Sequence, residues 1–153
     1  MAPKDGKPPN SENFLDPKTA TERDVTQLPL PTTKTAACQL KFAEAKFKDL
    51  DNQTIFVDTG AGVNRPTSAL GHSPCIIRAR GPIGFWISNR RRKMNVHECA
   101  RFQGIPDGTF DLEALNVSNT AYGHALGNAM SAPVLGKIIQ ALARATGLAA
   151  DPS

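Results

Sequence analysis

The stretch that most constrains this 153-residue chain is Asn95-Val96-His97-Glu98. An asparagine followed three positions later by a glutamate is a capping box, in which each side chain satisfies an orphan backbone N–H of a helix's first turn. Met94 and Cys99 stand where a hydrophobic staple would close around it, and Val96, Cys99, Ala100 and Gln103 follow one-face helical spacing. Gly104 and Pro106 stop this helix after about three turns. A second helix is expected where Pro133 suits a first turn and Val134, Leu135, Ile138, Ile139, Leu142 and Ala143 form a wide apolar stripe, with Gly147 just past its end. An acidic loop and a Gly127-Asn128 turn join the two, and everything before Arg90 reads as approach.

The first third holds little that would build a core. Residues 1–35 carry Pro3, Pro8, Pro9, Pro17, Pro29 and Pro31 among many polar groups, too few apolar side chains to offset ordering the backbone, so a disordered or loosely ordered arm is expected. Residues 36–54 are either linker or helix: Leu40, Phe42, Ala43 and Phe47 fit a short amphipathic helix, while Leu40-Lys41-Phe42 fits a strand equally well. Ile55-Phe56-Val57 reads as a short buried strand, and residues 75–80 and 83–87 as hairpin partners turning through Gly81 to Gly84. Short strands therefore occupy 55–93, two helices 94–147, and a tail 148–153.

Charge is unevenly spread. The net charge is +4, but residues 78–101 carry seven Lys and Arg against Glu98 alone, a local balance of +6. Arg90, Arg91, Arg92 and Lys93 are expected to be exposed by their charge density, as a solvated loop or as DNA phosphate contacts that position a duplex without reading its sequence. Trp86 suits packing better than base stacking, and Asp107, Asp111 and Glu113 should face solvent. Three cysteines without CxxC spacing point to reduced, largely buried thiols in an intracellular chain. No apolar leader follows Met1 and no run is long enough for a membrane span, so Asn116-Val117-Ser118 is a chance sequon and no membrane partner is expected. His97 and His124 are too few to complete a metal set. Asp58-Thr59-Gly60-Ala61 matches the loop of a retroviral-type aspartic protease, yet that chemistry needs two carboxylates sharing one site and only a homodimer would supply the second. A Gly-rich turn after a strand is the plainer reading. No Gly-Lys-Ser/Thr follows to make a phosphate loop.

Residues 92–106, RKMNVHECARFQGIP, resemble the ninth conserved motif of the DNA cytosine-5 methyltransferases, and residues 122–135, YGHALGNAMSAPVL, resemble the tenth. Both occur in the family's order and separation, with a Pro-Asp-Gly-Thr-Phe loop between. The resemblance reaches back to Arg65, where Arg65-Pro66-Thr67 and Ser73-Pro74-Cys75-Ile76 compete for the end of the target-recognition region. It implies an α/β fold: the terminal fragment of an S-adenosylmethionine-dependent methyltransferase fold with part of a small recognition region. It further implies that Gly127, Asn128 and Ala129 approach S-adenosylmethionine, and that Asn95, Glu98 and Arg101 form a structural network, Glu98 pairing with Arg101 along the helix. DNA is the implied partner, and the nucleus the implied compartment in a eukaryote.

The family's Phe-x-Gly-x-Gly, Pro-Cys-Gln, Glu-Asn-Val and Gln-x-Arg-x-Arg motifs are missing. Pro74-Cys75-Ile76 lacks the glutamine and stands in the wrong place, so Cys75 is not expected to be the nucleophile and no catalytic residue is assigned. The expected function is that of a fragment, degenerate relative or split-enzyme subunit of a methyltransferase acting on cytosine C5 in DNA. Such a chain binds the cofactor only together with a missing core, in the same gene product or a separate chain, and is inactive alone. The alternatives are a non-catalytic DNA-associated or methyltransferase-partner module and the protease built around Asp58.

Overall fold

The strands Ile55–Val57 (β1), Ser68–Leu70 (β2), Trp86–Ile87 (β3) and Arg92–Lys93 (β4) form one antiparallel sheet in the order β2-β1-β3-β4. The structure is a computed structural model, which describes residues 10–18, 33–81 and 84–148. Its helices are Lys34–Lys46 (α1), Val96–Phe102 (α2), Asn119–Asn128 (α3) and Ala132–Ala145 (α4), with 3-10 turns at Ser11–Phe14 and Ser88–Arg90.

Strand periodicity of two divides the core into layers. Ile55, Val57 and Trp86 point to one face and meet Leu40 and Ala43 of α1. Phe56, Phe85 and Ile87 point to the other and meet Met94, Val96, Cys99 and Ala100 around α2 and Leu126 of α3. Burial of each large apolar side chain stabilises by about 1.5–3 kcal/mol, and this decides the open question over residues 36–54. A helix capped by the Thr33 hydroxyl at Ala36 N–H places Leu40 and Ala43 on the sheet, while Gln39 donates to the carbonyls of Ala61 and Gly62.

Several expectations are corrected. Residues 75–80 make no strand: the chain turns at Ile77, whose carbonyl accepts from Arg80 and Gly81, and only Ile76 reaches the core. The partners of β3 are β1 and β4, so the arginine run itself forms a hairpin, with Arg91 at φ 52°. The helix after the capping box is two turns long, ending at Phe102 just before Gly104 turns the chain at φ 79°. Residues 119–128, expected to include only a turn, form α3, capped by the Ser118 hydroxyl at Ala121 N–H.

Of the expected arm, residues 10–18 pack as a strap: Leu15 and Ser11 are buried, and the Phe14 ring lies 5.0 Å from that of Phe102. Residues 1–9 and 19–32 lie outside the described residues, as do 149–153 of the tail. The helix α4 starts where Ala132 N–H donates to Gln103 C=O, and then buries none of its residues.

Candidate functional site

The capping box forms as the sequence spells it: Asn95 Oδ1 accepts from Glu98 N–H at 2.8 Å, and Glu98 Oε2 accepts from Asn95 N–H at 2.9 Å. Glu98 is 0 % exposed, and its carboxylate is bound bidentately by Arg92 at 2.8 Å through each nitrogen while also accepting from Asp16 N–H. Arg101 does not pair with Glu98. Its guanidinium binds Asp16 and Asp107 and donates to Phe14 C=O, because it points toward the strap instead of along the helix. Burial opposes the charge on Asp16, but the bonds from Asn95 and Arg101 outweigh it and hold its pKa below the ordinary value.

Exposure of the whole arginine run is a second correction. Arg90 is 2 % exposed, with its guanidinium against Glu12 and Asp16 C=O. The Glu12 carboxyl, bonded by Arg90 and also by Thr54 and Asn89 against the cost of burial, titrates at about 2. Arg91 is ion-paired with Asp51 and Arg92 with Glu98, whereas Lys93 is exposed. Glu12 and Asp51, distant in sequence, thus neutralise Arg90 and Arg91, and clustering of like charge in the sequence carries no trace of them, whereas Arg92 is met by Glu98 six residues on.

Gly127 and Asn128 close α3, and Ala129 caps it. A Cβ on Gly127 would stand 2.4 Å from Ile77 C=O, and one on Gly81 would stand 1.7 Å from Gly123 C=O. The close approach that Gly127 permits is therefore made by the chain's own 77–81 loop. Asn128 and Ala129 are exposed. One exposed amide is too small a donor set to hold a zwitterionic amino acid and a sulfonium, so the described residues do not by themselves fit S-adenosylmethionine. Beside Ala129 an apolar cavity of about 280 Å³ opens between Ile105, Phe110, Leu115, Tyr122 and Leu126.

The thiols divide by environment. Cys99 is buried and pushed up to about 12 by burial and by Glu98, which keeps it a neutral core group. Cys38 is half-buried and Cys75 exposed, which corrects the expectation of largely buried cysteines. Asp58 receives Arg80 Nε at 2.7 Å and Gly60 N–H at 3.0 Å, so its carboxylate is engaged by its own loop and by the one that holds Arg80. Among the described residues no three His, Cys, Asp or Glu side chains gather as a metal site, and no helix is long and apolar enough to cross a membrane. The contributions that sequence reasoning missed are Glu12 and Asp16 of the strap and the glycine seam of α3. Their partners lie up to 85 residues away along the chain.

A family model for C-5 cytosine-specific DNA methylase matches residues 13–144, beginning upstream of Arg65, where the recognisable motifs fade. No curated protein and no solved structure matches the chain.

Proposed function

Because the chain belongs to the C-5 cytosine-specific DNA methylase family, we propose that it forms the recognition and support side of a DNA cytosine-5 methyltransferase. Its chemical groups would be carried by a core outside these residues, on the same polypeptide or on another chain. Members of this family act on DNA and generally use S-adenosylmethionine. The reaction needs a thiolate to attack C6, an acid near N3 and an electrophilic methyl group, with the base out of the duplex. This chain has no Pro-Cys-Gln, no Glu-Asn-Val and no Phe-x-Gly-x-Gly, and its one buried thiol is held neutral. Its own residues hold the strap to α2 through Asn95, Glu98 and Arg101, and offer Asn128 and Ala129 as a margin to a cofactor held mainly by the core.

The single observation that carries this reading is α4. Val134, Leu135, Ile138, Ile139 and Leu142 are 41–59 % exposed on a helix without a buried residue, an apolar stripe that a soluble chain covers with a partner surface. The test is transfer of labelled methyl groups to DNA by the purified chain, alone and mixed with a family catalytic core that ends before its ninth motif. Transfer is expected only in the mixture. Transfer by the chain alone, abolished in Cys75→Ala, would overturn the reading.

A further inference from the structure

From Thr59 to His97 the sequence contains no Asp or Glu, yet it carries Arg65, Arg78, Arg80, Arg90, Arg91, Arg92 and Lys93. The fold neutralises four of these seven with acids from outside the stretch: Asp58 on Arg80, Glu12 on Arg90, Asp51 on Arg91 and Glu98 on Arg92. Arg65, Arg78 and Lys93 are exposed and have no ion pair among the described residues. A cation already sharing a carboxylate gains little from a phosphate, whereas an unpaired exposed one releases counterions from DNA at full effect.

These three cations lie toward one end of the sheet, Lys93 paired with Trp86 on the α1 face and Arg78 beside α3 on the opposite face. Sheet register aligns Ser68, Val57, Trp86 and Lys93 in one row at one end of the sheet. The loop holding Arg65 joins β1 to β2 beyond that row, and Arg78 lies on the connection from β2 to β3, two residues before Arg80. Arg80 ties the two loops together, its Nε on Asp58 and its guanidinium 3.0 Å from where a Cβ on Gly60 would sit. Arg78 itself rests on α3: its backbone meets Gly127, and His124 Nδ1 lies 3.1 Å from its carbonyl. Arg90 and Arg91 sit in the turn at the opposite end, among Glu12 and Asp51.

We propose that Arg65, Arg78 and Lys93 are the residues that hold the phosphates of duplex DNA, and that the arginines of the 90–92 run are structural. This assignment rests on the DNA-acting reading above and places the duplex at the sheet end where α3 terminates in Gly127 and Asn128. The contacts carry charge and little sequence information, so they set position and salt dependence.

The experiment is a salt titration of binding between the full chain and a labelled duplex of arbitrary sequence. Three phosphate contacts give a slope of about −2.7 in log affinity against log salt, and Arg65→Ala/Arg78→Ala/Lys93→Ala should remove most of it together with the binding. The charge-retaining Arg65→Lys/Arg78→Lys variant should keep binding, and Arg91→Ala should keep the slope. A triple alanine variant that binds like the unaltered chain, or an Arg91→Ala variant that loses an equal share, overturns the assignment but leaves DNA binding standing. Failure of the unaltered chain to bind down to low salt overturns both the assignment and the reading beneath it.

Discussion

Glu12 is the residue on which the strap's electrostatics turn. Its carboxylate is held by the buried guanidinium of Arg90 and by Thr54 and Asn89, and its pKa falls from 4.5 to about 2. A carboxyl depressed on folding contributes stability that is complete above its unfolded pKa and is lost as pH falls through the folded one. NMR signals of Ser11 to Asp16 should therefore stay constant from neutral pH to about 5 and shift between about 4.5 and 2 as Arg90 loses its partner. Glu12→Gln should remove that transition. A strap that keeps its environment at pH 2, or a glutamine variant with an unchanged transition, would show that the strap is held without the Glu12–Arg90 pair. The capping box was legible at this scale because its partners are three residues apart, whereas Glu12 and Arg90, 78 residues apart, were not.

At the scale of elements, the seam between α3 and the 77–81 loop depends on missing side chains. Gly127→Ala would drive a methyl group into the backbone of Ile77 and Arg78, an overpacking that should cost about 1–3 kcal/mol. Gly136→Ala, in the interior of α4 with nothing within 4 Å of its added Cβ, should instead stabilise the helix, by up to about 1 kcal/mol. Thermal unfolding of both variants checks the pair. Equal and small effects would mean that the loop does not press on α3. Glycine also explains why α3 was not foreseen: Gly123 and Gly127 lower helix propensity, and only the opposing backbone of Ile77 and Arg78 shows what Gly127 gains. The helix α1 was ambiguous for a related reason, since its spacing fits two periodicities and the sheet beneath it makes the choice.

At the scale of the whole molecule, α4 meets the rest at its first turn, where Ala132 N–H meets Gln103 C=O and Pro133 lies against Gly104, and buries none of its residues. Amide hydrogen exchange across residues 131–146 in the dilute chain should be fast relative to β1 and α2, and should slow when a methyltransferase core covers the stripe. Strong protection without a core would mean that the helix needs no covering and would shift the function toward a self-contained binding module. By itself the sequence determined what depends on neighbours in the chain: the capping box, the apolar stripe of α4, the short strand 55–57 and the motifs that resemble the family. Only the tertiary structure decided which charges are spent and which remain available. A carboxylate and a guanidinium neutralise each other through a few ångströms of space, and the strap, sheet and turn that bring Glu12 to Arg90 leave Arg65 and Arg78 facing water.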